Sequence, residues 1–137
     1  INNWADAATY ARRLNEVAFP HYVDADWDVF ARRIFRIGTE GVPVLDYDPD
    51  ISVPIRAAGA KALVPNLWPM FGRLARARPV LLVRGETSDL LSAAIAARMQ
   101  KRAPKMDLVE VSGVGHAPML DEADAKAALF PFLGELP

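Results

Sequence analysis

Two stretches decide how this chain is read: Arg84-Gly85-Glu86-Thr87-Ser88-Asp89-Leu90-Leu91-Ser92 and Val111-Ser112-Gly113-Val114-Gly115-His116-Ala117-Pro118-Met119-Leu120. Each follows a short apolar run of strand length and leads into a helical pattern. Pro79 to Arg84 is β-branched and Leu-rich, the composition of a strand buried on both faces. Met106 to Val111 reads as a second strand. Between them Ser92 to Ala103 has helical spacing, with Ser92 as its cap and Pro104 as its stop. Asp121 is expected to cap a last helix running to about Phe130, with Asp124 as a partial capping box, and Pro131 to kink or end it.

Strand, helix, strand, helix implies a right-handed crossover and a parallel pair. Two parallel strands make a poor sheet alone, because such strands need neighbours and helices on both faces. Residues 78–137 are therefore expected to complete a larger sheet. Its partner is a missing segment, a separate chain or a second copy of this one.

Both quoted loops leave the carboxyl end of a strand, where open α/β sheets place their ligands. A carboxylate can orient an imidazole there and stabilise its protonated form. Histidine moves protons near neutral pH because its unperturbed pKa is about 6.5. The glycines around His116 let the backbone turn tightly, so that the ring can point back over the strand ends.

A strand followed by G-E-x-S-D-L-L-S, then a strand followed by x-G-x-G-H-x-P-x-L, resembles the end of the α/β-hydrolase family. The resemblance is strongest from Trp68 to Leu133. In that family the order along the chain is nucleophile, acid, histidine. Asp89 matches the acid and His116 the general base, with Glu86 as a rival carboxylate in the same loop. The implied fold class is α/β: a C-terminal fragment of an α/β-hydrolase sheet, with two parallel strands and their helices, behind a mostly helical cap. The implied division is 1–77 for the cap and 78–137 for the core.

The nucleophile motif G-x-S-x-G occurs nowhere in the chain, and Ser52, Ser88, Ser92 and Ser112 are its only serines. None of them sits on a strand end between two glycines. The resemblance thus implies a nucleophile and oxyanion hole on a missing N-terminal segment or a companion chain, and a chain that is inactive alone. The expected reaction is hydrolysis of a small-molecule ester or related acyl bond. An upstream aspartate would make an epoxide hydrolase or dehalogenase instead. A non-catalytic binding or assembly module is the remaining alternative.

The first half matches a cap less distinctively. Trp4, Ala7, Ala8, Ala11, Leu14 and Ala18 follow helical spacing, with Asn3 as N-cap. Trp27, Phe30, Ala31, Ile34 and Phe35 repeat the pattern, with Asp24 or Asp26 as cap. The Gly-, Pro- and Asp-rich run from Gly38 to Pro65 reads as loop. Asp46, Asp48 and Asp50 alternate there, but Pro49 and the absence of an EF-hand glycine and glutamate argue against calcium. Leu67 to Ala77 reads as another helix. His21 and the tryptophans Trp4, Trp27 and Trp68 are expected to be structural.

Composition removes several classes of function. The 16 basic and 17 acidic residues nearly cancel, which gives no support for nucleic acid or an anionic membrane surface as partner. Without cysteine there is no disulfide or thiolate metal site, and two histidines are few for a metal centre. No cofactor is implied: Gly113-Val114-Gly115 lacks the third glycine of a dinucleotide loop, Pro118 standing in its place. No run approaches the ~20 apolar residues of a membrane span. The first residues, Ile1-Asn2-Asn3-Trp4, lack both the character of a signal peptide and an initiator Met, which suggests removed upstream sequence and a cytoplasmic origin.

Overall fold

The computed structural model describes residues 1–58 and 65–135. Contacts divide the chain into two compact units, one of residues 1–16 and 21–65, the other of residues 17–20 and 66–137.

The first unit is built on two amphipathic helices, α1 (Trp4–Asn15) and α2 (Asp24–Ile34). Asn3 caps α1 by accepting a 2.9 Å hydrogen bond from the Asp6 amide. The small face of α1, with Ala7 and Ala11 fully buried, lets α2 approach closely. From α2, Trp27 and Phe30 enter the core with ring centroids 5.6 Å apart, and Tyr22 meets the Trp27 ring edge to face at 5.1 Å. Arg12 joins the helices across their polar side through a 3.0 Å ion pair with Asp24. Arg32 lies over the Trp4 ring.

Neither Asp24 nor Asp26 is the cap of α2. That position belongs to Val23, and Asp26, one turn in, accepts from the Val23 amide at 2.9 Å. Phe35 also departs from the helical reading. It opens β1 (Phe35–Ile37), which pairs antiparallel with β2 (Pro43–Leu45). Its ring is buried edge to face against Tyr10, a tertiary contact that overrides the local periodicity. Gly41 takes a positive φ in the hairpin loop.

The run read as loop from Gly38 onward thus holds this hairpin, a 3₁₀ turn (Pro49–Ser52) and α3 (Val53–Ala58). Its part from 59 to 64 lies outside the described residues. Asp48 caps the 3₁₀ turn by accepting from the Asp50 amide at 2.9 Å, and Asp46 pairs with Arg36 at 3.1 Å. Two of the three alternating aspartates therefore have structural partners.

The second unit carries α4 (Trp68–Ala77), β3 (Leu81–Gly85), α5 (Ala93–Arg102), β4 (Asp107–Val111) and α6 (Ala123–Gly134). The strands are parallel, with Arg84 opposite Glu110 and Gly85 opposite Val111. Ser92 caps α5 through the Ile95 amide at 3.3 Å. Both α5 and α6 pack on β4, and α6 reaches β3 as well. Val111, Met106, Ala96, Ala103 and Ala125 form the core beneath them. Arg98 stacks on Trp68.

Three local readings change in this unit. Glu122 rather than Asp121 is the N-cap of α6, and its carboxylate accepts from the Met119 amide at 2.8 Å. Pro131 lies inside α6, which continues to Gly134. A proline so near the end removes only one amide from the ladder, and the Glu135 amide still reaches the Pro131 carbonyl at 3.1 Å. Leu81, Leu82 and Val83 are half-buried rather than buried on both faces. Among the described residues β3 pairs on one edge alone, so its apolar side chains lack a second neighbour. No described helix is long and apolar enough to cross a membrane.

Candidate catalytic loops at the strand ends

Because β3 and β4 are parallel and in register, their carboxyl ends lie side by side, and the loops that follow run together. The Glu86 amide donates to the Val111 carbonyl at 2.9 Å, and the Thr87 amide to the Val114 carbonyl at 3.0 Å. Between these bonds Gly85 lies against the histidine loop. A Cβ there would stand 2.6 Å from the Val114 carbonyl oxygen and closer still to that of Gly115. Only glycine permits this approach.

Arg84 organises the start of the Asp89 loop from beneath. Its side chain is 6% exposed. It pairs with Glu110 across the strands, donates through Nε to the Leu91 carbonyl at 2.7 Å and through Nη2 to the Glu86 carbonyl at 2.9 Å. One guanidinium thus holds both shoulders of the loop that carries Asp89. Ser88 tightens the turn: its amide donates to the Gly85 carbonyl at 3.1 Å, and its Oγ accepts from the Leu91 amide at 3.1 Å.

The histidine loop is fixed at two points before the ring. Gly113 takes a positive φ. The Gly115 amide donates to the Ala18 carbonyl at 2.6 Å, and a Cβ at Gly115 would stand 2.9 Å from the Ala18 Cα. Beyond the ring, Leu120 has a positive φ of 62° just ahead of Glu122.

Asp89 and His116 are both exposed on these neighbouring loops. Among the described residues no hydrogen bond or ion pair joins their side chains. In enzymes whose histidine is oriented by a carboxylate, that hydrogen bond is often long without substrate and tightens in the loaded complex. The structure therefore brings the two loops together without a hydrogen bond between the two side chains.

Glu86, read from sequence as a rival acid, has a different position. Its carboxylate accepts from the Ser112 hydroxyl at 2.9 Å and the Gly113 amide at 2.8 Å. The Gly113 amide first, then the Ser112 hydroxyl, hold its carboxyl below the usual glutamate range. Desolvation opposes them, and the nearby Arg84 charge adds to their effect. Neither this link nor the arginine beneath it was evident from sequence, because both depend on the register between strands about 26 residues apart. The serines Ser88, Ser92 and Ser112 have their hydroxyls in a turn, a helix cap and the Glu86 link. Among the described residues no group of three or more His, Asp or Glu side chains converges as a metal site would require.

Comparison with known proteins supplies the wider frame. No family model matches the chain. An α/β hydrolase from Novosphingobium aromaticivorans superposes with a TM-score of 0.86 at 37% identity, over 99% of this chain and 47% of its own. E-2-(acetamidomethylene)succinate hydrolase superposes with a TM-score of 0.63 at 22% identity, over 98% of this chain and 45% of its own, a likeness of fold. The 3-hydroxybutyrate-oligomer hydrolase of Cupriavidus necator is 41% identical over 85 residues, which are 59% of this chain and 28% of that protein. The chain spans less than half the length of each of these relatives. With the parallel βαβα arrangement and a 37% identical solved relative following its course almost end to end, the chain belongs to the α/β-hydrolase fold family and carries part of that fold.

Proposed function

We propose that the chain supplies the acid and the general base of a hydrolase that cleaves a small-molecule ester or related acyl bond. The observation that carries this reading is the stitching of two loops at adjacent parallel strand ends, one bearing Asp89 and the other His116. The curated relative is named for hydrolysing 3-hydroxybutyrate oligomers, and the solved relatives are hydrolases too.

In this reading a serine on a preceding segment or companion chain attacks the acyl carbonyl. His116 takes the serine proton and passes it to the leaving group. It then takes a proton from the water that attacks the acyl-enzyme, and returns it to the serine as the acid departs. Asp89 holds the imidazole in the required tautomer. The unpaired edge of β3, with its half-buried Leu81, Leu82 and Val83, is where the rest of the sheet adds its next strand. Residues 1–77 serve as the cap, and the enzyme works in the cytoplasm.

A fluorophosphonate probe, read by intact mass spectrometry of the whole sample, tests the proposal. The expected result is a labelled serine on a companion polypeptide or a longer form of this protein, with this chain itself unlabelled. Efficient turnover of an aryl ester by the purified chain alone, or no labelled serine in the longer protein, would overturn it.

A further inference from the structure

The amide, the carbonyl and one carboxylate oxygen of Glu86 are engaged, and most of these contacts bind it to β4 and the loop that follows. Its amide reaches the Val111 carbonyl, and its carboxylate receives the Ser112 hydroxyl and the Gly113 amide. Its own carbonyl is held by the buried Arg84. Gly113 lies three residues before His116, and Glu86 three residues before Asp89. A carboxylate that accepts from a backbone amide makes a bond about twice as strong as a neutral pair, and a directional one.

We propose that Glu86 is a positioning residue for the histidine: its carboxylate, clipped to Ser112 and Gly113, sets where the His116 loop stands against the Asp89 loop. The proposal rests on the reading of Asp89 and His116 as acid and base, and it adds a second carboxylate with a separate task. Asp89 orients the ring once the loops are in place, while Glu86 puts them in place. Because the clip acts on backbone and hydroxyl donors, an acceptor without charge can replace it in part. A glutamine keeps one oxygen for the Gly113 amide, whereas an alanine keeps nothing.

Ring ¹⁵N spectra of His116 above neutral pH, recorded on a complete, nucleophile-bearing form of the protein in which the site is assembled, test this, since they show which ring nitrogen carries the proton. The natural chain is compared with Asp89→Asn, Glu86→Ala, Glu86→Gln and Ser112→Ala, alongside amide exchange at Gly113. The expected result is a single dominant tautomer in the natural chain, lost in Asp89→Asn. Glu86→Ala loses it too with Asp89 intact, Glu86→Gln largely retains it, and Gly113 exchanges about tenfold faster in the alanine variant. If Glu86→Ala fails to fold, Ser112→Ala, which removes one donor, is expected to move the tautomer in the same direction by less. If Asp89→Asn changes nothing, the reading of the acid and base falls and takes this role with it. If Asp89→Asn acts but neither Glu86→Ala nor Ser112→Ala moves the tautomer, the acid and base stand and the positioning role is overturned.

Discussion

Arg84 and Glu110 stand opposite each other in the parallel register of β3 and β4 and pair as ions, the arginine almost wholly buried and the glutamate side chain half in water. The asymmetry decides which of the two matters more. Arg84 also holds the Leu91 and Glu86 carbonyls, so its loss leaves two loop carbonyls without their donor. Arg84→Lys keeps the charge and loses the planar fork. It is expected to cost about 2–3 kcal/mol in chemical denaturation. Glu110→Gln, at a solvated and screened partner, is expected to cost about 1 kcal/mol or less. Equal losses for both would show that the ion pair, and not the loop carbonyls, is what Arg84 supplies.

Gly85→Ala is expected to destabilise the chain by about 3 kcal/mol, at the upper end for one added methyl group. The new Cβ meets backbone, at 2.6 Å for the Val114 oxygen, and no rotamer change can relieve that. Either the Thr87–Val114 hydrogen bond opens or the histidine loop moves away. Amide exchange at Thr87 distinguishes this from a general loss: it accelerates first if the two loops part. A variant as stable as the natural chain would mean that the loops do not approach as described.

Trp27→Ala probes the first unit by itself. The indole is 2% exposed and contacts both Tyr22 and Phe30. Its removal is expected to cost about 3–5 kcal/mol, since the rigid alanine face of α1 cannot collapse into the space. The loss is read from the melting of α1 and α2 by amide exchange. Exchange in β3 and β4 serves as the internal reference.

Glu86 also predicts a dependence on pH. Its carboxyl is held below the ordinary value in the folded chain, chiefly by the Gly113 amide and then by Ser112, with Arg84 nearby. The unfolded chain therefore takes up this proton first as pH falls. The stabilisation is complete above the unfolded value of about 4.3 and is lost as the pH drops through the lower folded one. In denaturation midpoints measured across that window, Glu86→Gln is expected to flatten the part of the acid slope that belongs to this residue. An unchanged slope would mean that the carboxylate is not held by its two donors.

Much of the local architecture could be read along the chain, because caps and periodicity are local. Asn3 and Ser92 cap their helices through their own side chains, and strand, helix and strand follow one another in the second unit as the apolar runs suggest. What could not be read depends on partners far away in sequence. Phe35 continues the helical spacing of α2 and leaves it because Tyr10 receives its ring. The hairpin of β1 and β2 has three residues in each strand, too few for a periodic signal. At the candidate site the glycines, Asp89 and His116 stand out by their loop positions. Arg84 and Glu86 act across the β3–β4 register, which the sequence of either strand alone does not contain.

The roles of the two loop carboxylates separate most sharply in a complete, nucleophile-bearing form of the enzyme. Asp89→Asn leaves the side chain's size almost unchanged and removes the charge that, in the proposed reading, selects the imidazole tautomer. A loss in kcat on the order of 10⁴-fold is expected, with KM little changed, since the defect lies in the transition state and not in binding. Glu86→Gln keeps an acceptor for the Gly113 amide and is expected to lose far less, because it loosens the geometry without removing the acid. Steady-state kinetics on one aryl ester, with both variants purified in parallel, compare the two directly. Should Glu86→Gln prove the more damaging, Glu86 would be the acid and Asp89 a solvated residue at the start of the next helix.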